Sequence, residues 1–532
     1  MKRRDFLQKT AAGCVVAIAQ PASALTIEKR EPANAPPAFE LDELTISDLQ
    51  QALQSGKYSS RSLVEKYTDR INDIDKKGPA LASVIELNPD AEKIATALDR
   101  ERKEKGPRSP LHGIPILIKD NIDTQDRMMT TAGSLALVGA KPAQDAFVAR
   151  KLREAGAVIL GKTNLSEWAN FRSSKSSSGW SGRGGQTRNP YVLERNPCGS
   201  SSGSGVAVAA NLCAAAIGTE TDGSVVCPSS ANSLVGIKPT LGMISGEGIV
   251  PIAHSQDTAG PMARTVADAA ILLACVAGPS TAPDQTAITN FTKALDKNGL
   301  KGMRLGIARK HFGFNEHVDK LMNDLLAEMK KLGAVLVDPS DIPTSGKFDD
   351  SEFQVLLYEF KADLNAYLAK LGPQAPVRSL KDVIEFNEKN RDREMPYFGQ
   401  DIMIKAQEKG PLTSKAYIQA LRKNHLLTRK QGIDFIMQKN RLDALVAPTG
   451  GPAWPTDWIN GDHFTGGYSS ASAVAGYPHI TVPAGYVFGL PVGISFFGTA
   501  DSELKLVKIA YAFEQATKAR RPPQFLSEAR FT

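Results

Sequence analysis

Two loops rich in serine and glycine, residues 198–204 and 219–224, lie on either side of one segment of small apolar residues. They read CGSSSGS and TETDGS. Glycine adopts positive φ angles without steric cost, so such loops let the backbone approach a ligand closely, although they lose much conformational entropy on folding. The Asp222-Gly223 step permits a turn whose consecutive N–H groups can bind an oxyanion beside the Ser224 hydroxyl. If the small-residue segment forms a helix, the loops can face each other, and we predict an active site there.

A serine hydroxyl is a weak nucleophile until a neighbouring group accepts its proton. The best candidate for this base is Lys119, which follows the apolar run of residues 114–118. That run has the composition of a buried strand, and the ends of such strands carry the chemistry of many α/β proteins. A lysine that is desolvated there can lose its proton and act as a neutral base.

The two serine loops and Lys119 resemble the amidase signature family. Further motifs of that family occur in the same order between about residues 44 and 519: HGIPILIKDNID, GAVILGKTNLSEW, GIKPT, DTAGPMARTVADAA and GLPVGISFFG. Several long motifs in the expected order are much more specific than one short pattern. The resemblance implies an α/β fold made of one large domain, in which helices cover both faces of a central mixed, twisted β-sheet.

The resemblance also implies a Ser-cisSer-Lys triad that cleaves an amide to an acid and ammonia through an acyl-serine intermediate. Ser224 is then the nucleophile, and Ser200 relays its proton to neutral Lys119. The backbone N–H groups expected to form the oxyanion hole belong to Thr221, Asp222, Gly223 and Ser224. The family's chemistry needs no cofactor and no metal.

Departures from the general family pattern indicate a branch. The second loop continues as DGSVV, without the arginine that commonly follows it, and Cys198 and Ser202 replace glycines of the first loop. Together with SSGWSGRGGQTRNP and HSQDTAGPM, these features look more like the bacterial peptide amidases, which act on C-terminal peptide amides. We therefore expect a peptide or amino-acid amide substrate, bound along a wall formed by residues 170–191 through Ser178, Gly179 and Trp180.

Other functions remain open at this point. They are a broad-specificity hydrolase of aliphatic, aryl or fatty-acid amides, a subunit of a glutamine-dependent amidotransferase, and an inactive binding protein on the amidase fold. The net charge of +7 over 532 residues is small and dispersed, which argues against nucleic-acid binding. We expect no stable membrane insertion once the N-terminal signal described next is removed, and the oligomeric state is undetermined.

The first 24 residues have the pattern of an export signal: a basic start with Arg3-Arg4, a short apolar run and a terminal Ala-Ser-Ala. Arg3-Arg4-Asp5-Phe6-Leu7 resembles a twin-arginine signal, which predicts a bacterial protein exported to the periplasm or secreted. Residues 25–43 are expected to be a linker and residues 44–532 the amidase domain. Within that domain, residues 345–440 are expected to be mostly helical and to shape substrate specificity.

The cysteines show no metal-binding spacing. Cys198 and Cys227 flank the serine loops, and we interpret them as small buried residues rather than a disulfide. Two other serine patterns have simpler interpretations. Residues 199–203 match G-x-S-x-G, but no apolar strand precedes them. Ser502 and Lys505 fit the start of a helix, and His112 and His254 are interpreted as structural.

Local patterns predict several further elements. A helix should begin at Thr45, capped together with Asp48. The remaining predictions are helices at 59–74 and 89–105, a strand–helix–strand unit at 114–118, 145–155 and 158–160, and a second such unit between strands at 304–308 and 334–337.

Overall fold

A computed structural model describes residues 38–279, 284–372 and 375–529 of the chain. The predicted export signal, residues 1–24, and most of the predicted linker lie outside these residues. All that follows concerns the described part.

Strands and helices alternate along most of the described chain. The strands are β1 (Val84–Leu87), β2 (Pro115–Lys119), β3 (Val158–Thr163), β4 (Trp180–Ser181), β5 (Gly185–Gln186), β6 (Ala215–Glu220), β7 (Val235–Lys238), β8 (Thr258–Ala263), β9 (Arg304–Ile307), β10 (Val335–Val337), β11 (Ala444–Pro448), β12 (His479–Val487) and β13 (Leu490–Phe497).

The helices are α1 (Ile46–Gln54), α2 (Ser60–Arg70), α3 (Ala91–Lys105), α4 (Phe147–Glu154), α5 (Ser202–Ala209), α6 (Val226–Ala231), α7 (Val266–Val276), α8 (Gln285–Lys293), α9 (Glu316–Lys331), α10 (Asp349–Lys370), α11 (Leu380–Lys389), α12 (Arg391–Glu394), α13 (Asp401–Gln407), α14 (Lys415–His425), α15 (Asp434–Asn440), α16 (Ser470–Ala475) and α17 (Glu503–Thr517). Two π-helical segments, Ile71–Asp75 and Leu426–Ile433, continue α2 and α14.

Eleven of the described strands form one mixed sheet in the order β1-β3-β2-β6-β8-β7-β12-β13-β11-β9-β10. Strands β3, β2 and β6 are parallel, as are β11, β9 and β10, whereas the strands between these groups pair antiparallel. Every residue of β2, β3 and β6 is buried, as expected for parallel strands covered by helices on both faces. The predicted α/β fold with a central mixed sheet is confirmed.

Several local predictions are confirmed. Thr45 and Asp48 form a reciprocal capping box at the start of α1, with the Thr45 N–H donating to Asp48 over 2.9 Å. Strand β2 extends one residue beyond the expected 114–118, so that Lys119 is its last residue. Strands β9 and β10 pair in parallel around α9, as the second strand–helix–strand unit requires.

The region of residues 345–440 contains helices α10 to α15 and no described strand, in agreement with its predicted helical character. Part of it forms a separate hydrophobic cluster around Phe360 and Leu364, against which Phe171 packs. Over the described residues, no helix combines the length and the apolar character needed to cross a membrane.

Candidate active site

Lys119 is fully buried at the end of β2 and points at the first serine loop. Its Nζ lies 2.8 Å from Ser200 Oγ, 2.9 Å from Thr219 Oγ1 and 3.2 Å from the Thr219 carbonyl oxygen. Thr219 belongs to β6, the parallel neighbour of β2, so the sheet itself holds these groups together. Asn121 Nδ2 donates to Thr219 Oγ1 over 3.0 Å and orients that hydroxyl.

Burial lowers the pKa of Lys119 to about 7, because a charged ammonium is costly to remove from water. The negative charges of Asp257 and Glu220 oppose this shift in part. A substantial fraction of Lys119 is therefore neutral near pH 7, which a proton acceptor requires.

The first serine loop leads directly into α5. The peptide bond between Gly199 and Ser200 is cis, and Ser200 is fully buried. The next residue, Ser201, joins the two loops: its N–H donates to the Ser224 carbonyl oxygen over 3.1 Å, and its Oγ donates to the Thr219 carbonyl oxygen over 3.0 Å. The backbone of Ser224 is thus fixed against the loop that carries Ser200.

The second serine loop connects β6 to α6 through a turn in which Gly223 has a φ of +79°. Within the described chain, the N–H groups of Asp222, Gly223 and Ser224 have no protein acceptor. Ser224 retains 8% of its surface exposed, whereas Ser200 and Lys119 have none. Of the three predicted triad residues, Ser224 is therefore the one that a substrate can reach.

Side chains around this turn fix its shape. Thr221 Oγ1 donates to Asp257 over 2.6 Å, and Ser470 Oγ donates to Asp222 Oδ2 over 2.6 Å. Glu220 Oε2 accepts the N–H groups of Val225 and Val226 at the start of α6. Free N–H groups on a turn held this firmly are the arrangement that stabilises an oxyanion.

Cys198 and Cys227 form a disulfide, with Cα atoms 6.0 Å apart. The interpretation of these residues as unpaired was wrong. Cys198 precedes the first serine loop and Cys227 lies in the first turn of α6, just after the second, so their proximity follows from the packing of the two loops and cannot be read from their spacing of 29 residues. The bond therefore ties together the two loops that carry Ser200 and Ser224.

A cavity of about 420 Å³ opens beside the two loops. Its lining combines the disulfide, Gly199, Asp222 and Gly223 with polar groups and aromatic side chains: Asn170, Ser178, Val226, Thr449, Trp454, Asp462, Phe464, Gly466, Gly467, Ser469 and Ser470. Of the three residues predicted to contact substrate, Ser178 belongs to this lining. Gly179 and Trp180 do not, and Trp180 packs against Tyr397 and Phe398.

The segment of residues 449–470 supplies much of this cavity and was missed by the sequence analysis. It is rich in glycine and aromatic residues, as is the wall segment 170–191, and this composition was the available signal. No described residue of the helical region 345–440 lines the cavity. That region reaches the site through Glu352, which accepts from Gln256 Nε2, whose amide also donates to the Thr221 carbonyl oxygen.

The other serine and histidine patterns have structural explanations here. No strand precedes Ser200, so the nucleophile elbow of α/β-hydrolases is absent from this loop. Ser502 directly precedes α17, and Lys505 pairs with Asp443 at 2.9 Å. His112 is buried with Nε2 3.0 Å from the Leu98 carbonyl oxygen.

His254 lies on a short segment packed against α10. Its side chain, with those of Glu359 and Asp363, forms the one group in the described chain whose potential metal-ligand atoms lie within 4.8 Å of one another. His254 Nδ1 is 2.8 Å from Asp363 Oδ2, so an ion pair between this segment and α10 accounts for the cluster.

Comparisons with known proteins agree with this geometry. The Amidase family model matches residues 62–507. A probable amidase of Arabidopsis thaliana is 44% identical over 504 residues, which cover 92% of this chain and 93% of the relative. A putative amidase of Arthroderma benhamiae is 39% identical, with 89% and 81% covered. A glutamyl-tRNA(Gln) amidotransferase subunit of Myxococcus xanthus is 34% identical, with 90% and 98% covered.

Among solved structures, the native peptide amidase of Stenotrophomonas maltophilia is 50% identical to this chain. It superposes with a TM-score of 0.86, and the match covers 92% of this chain and 100% of that one. The curated relatives from a plant and a fungus contradict the prediction of an exported bacterial protein in the periplasm or medium, which was wrong. That prediction rested on residues 1–24 alone.

Proposed function

This chain belongs to the amidase family, and we propose that it hydrolyses a primary carboxylic amide with Ser224 as the nucleophile, Ser200 as the proton relay and Lys119 as the base. The observation that carries this assignment is the buried contact of 2.8 Å between Lys119 Nζ and Ser200 Oγ, beside the exposed edge of Ser224. The family and the amidase activity are shown by the comparisons, whereas the residue roles are our proposal.

Neutral Lys119 suits the role of base because of how its neighbours are arranged. A neutral amine has two N–H bonds and one lone pair. The two N–H bonds can donate to Thr219 Oγ1 and to the Thr219 carbonyl oxygen, which leaves the lone pair for the Ser200 hydroxyl. Ser200 then passes its proton to Lys119 as it accepts the proton of Ser224.

The activated Ser224 oxygen attacks the amide carbonyl, and the C=O π electrons move to the oxygen. The free N–H groups of Asp222, Gly223 and Ser224 stabilise that oxyanion, with Thr221 fixed to Asp257 at the base of the turn. Loss of one such donor typically lowers the rate by about 100-fold to 1000-fold.

Collapse of the tetrahedral intermediate breaks the C–N bond. The proton held by Lys119 returns through Ser200 to the leaving nitrogen, which departs as ammonia and leaves an acyl-Ser224 ester. Water then attacks the ester, gives its proton to the same relay, and releases the acid. Ser224 recovers its proton, so the enzyme is unchanged at the end of the cycle.

We further propose that the substrate is the amide of a peptide C-terminus or of an amino acid. The 50% identity to a peptide amidase supports this, as does a cavity that combines polar groups with the aromatic side chains of Trp454 and Phe464. A pocket of this kind orients a substrate by hydrogen bonds and accommodates an apolar side chain.

Ammonia release by the purified protein tests the function. A dipeptide amide, a long-chain fatty amide and an aryl amide should be compared by kcat/KM, with Ser224→Ala as the blank. We expect the dipeptide amide to be preferred by at least about tenfold, since only transition-state binding of the acyl part distinguishes the three. A preference for the fatty or aryl amide would contradict the substrate class. Absence of ammonia from all three would contradict independent amidase activity and favour an amidotransferase-type subunit.

A further inference from the structure

The hydrogen-bonding groups of the cavity beside Ser224 are unevenly satisfied. Its side-chain donors are already used inside the protein: Trp454 Nε1 and Ser178 Oγ donate to Asp462, and Ser470 Oγ donates to Asp222. Two side-chain acceptors on the same lining, Asn170 Oδ1 and Asp222 Oδ1, have no partner within the described chain. A cavity with spare acceptors is suited to a ligand that presents N–H donors.

The orientation of the Asn170 amide follows from its neighbours. Asp462 is contacted by donors, namely the Ser178 N–H at 3.0 Å, Trp454 Nε1 at 3.2 Å and the Ser178 hydroxyl at 2.5 Å. The Ser178 hydroxyl thus gives its hydrogen to Asp462 and can only accept from Asn170, whose Nδ2 lies 3.0 Å away. The chain of donors fixes Nδ2 toward Ser178, which leaves the carbonyl oxygen of Asn170 for another partner.

The backbone at this point is also unusual. Trp168, Ala169 and Asn170 are consecutive residues with φ angles of +50°, +54° and +71°. Residues other than glycine rarely adopt this region, and asparagine does so more readily than most. The left-handed turn directs the chain from the buried Trp168 to the cavity, where Asn170 is placed on the same lining as Gly199 and Gly223 of the two serine loops.

We propose that Asn170 Oδ1 accepts a hydrogen bond from the backbone N–H of the substrate residue whose carboxamide is cleaved. This assignment rests on the function proposed above and makes Asn170 a specificity residue for peptide amides. A peptide amide has this N–H one bond from the α-carbon, whereas simple aliphatic and aryl amides lack it. A site that provides an acceptor for a substrate N–H disfavours analogues without one, because the buried acceptor then stays unpaired.

Two matched substrates test the proposal in the unaltered protein. Acetyl-alanine amide carries the N–H, and its depsipeptide analogue, acetyl-lactamide, has an ester oxygen there and is otherwise of nearly the same shape. We expect kcat/KM for ammonia release to be about tenfold higher for the alanine amide. Equal values within about twofold would overturn the proposal. If neither substrate, nor any other amide, releases ammonia, it is the proposed function that fails.

Variants at residue 170 place the effect. Asn170→Gly tolerates the positive φ and removes the acceptor, so it should lose about tenfold on the alanine amide and discriminate the two substrates less than about twofold. Asn170→Asp keeps an acceptor oxygen and should keep the preference. Ser469→Ala, on the same lining, is the matched control and should also keep it. A preference that survives in Asn170→Gly, or is lost equally in Asn170→Asp, would overturn the proposal.

Discussion

Lys119 Nζ lies 2.8 Å from Ser200 Oγ, and both side chains are wholly buried. The contact joins the end of β2 to the loop before α5, two parts of the chain that are 81 residues apart. It brings a lysine with a lowered pKa to a serine that has no other route for its proton in the proposed mechanism. The predictions below follow from this contact and from the loops around it.

Replacing the nucleophile should abolish turnover without unfolding the protein. Ser224→Ala removes the attacking oxygen and fits the space, so we expect at least a 1000-fold loss of ammonia release, on the order found for other serine nucleophiles. Ser202→Ala is the control in the neighbouring loop: it deletes a hydrogen bond to the Cys198 carbonyl oxygen and should retain most activity. Circular dichroism checks that both variants are folded. More than a few per cent of activity in Ser224→Ala would contradict the assignment.

Lys119 and Ser200 should behave as one unit. Lys119→Ala and Ser200→Ala each interrupt the same proton path, so each should lower kcat by about 1000-fold or more, and the double variant should lose little beyond that. Single-turnover kinetics on an activated ester would separate the acylation step from product release. Losses that multiply in the double variant would show that the two residues act independently.

Activity should rise with pH through about 7. The base must be neutral, and burial lowers the pKa of Lys119 to about 7, so kcat/KM should fall about tenfold per pH unit below that value. His254 is the control, because its hydrogen bond to Asp363 raises its pKa and it could titrate in the same range. His254→Gln should leave the acid limb in place. If it removes the limb, Lys119 is not the titrating group.

The disulfide should stabilise the fold and hold the two serine loops in register. Closing a loop of 29 residues is worth on the order of 3 to 4 kcal/mol in the chain-entropy model. The variant with Cys198→Ser and Cys227→Ser should therefore unfold at lower denaturant concentration and lose part of its activity. Reductant should shift unfolding of the unaltered protein in the same direction and leave that of the double variant unchanged. An equal shift in both proteins would trace the effect to another group.

Much of the site could be predicted from the sequence, because its members lie in motifs of fixed local pattern. Lys119 ends an apolar run that can only be a buried strand, and the two Gly/Ser loops bracket a helix of small residues. The same local logic placed the capping box of Thr45 and Asp48. It failed for residues 1–24, where a short basic and apolar pattern led to a location that the relatives contradict.

The sequence by itself thus determined the α/β class, the strand that presents Lys119 and the two loops that carry Ser200 and Ser224, since these depend on periodicity and on residues that are neighbours along the chain. Only the tertiary structure decided that Cys198 bonds to Cys227, that burial brings the pKa of Lys119 to about 7, and that the segment of residues 449–470 closes the cavity opposite Asn170. These features join parts of the chain brought together by the order of strands in the sheet. Desolvation, disulfide bonding and the shape of a cavity depend on distances between such parts, and spacing along the chain does not determine those distances.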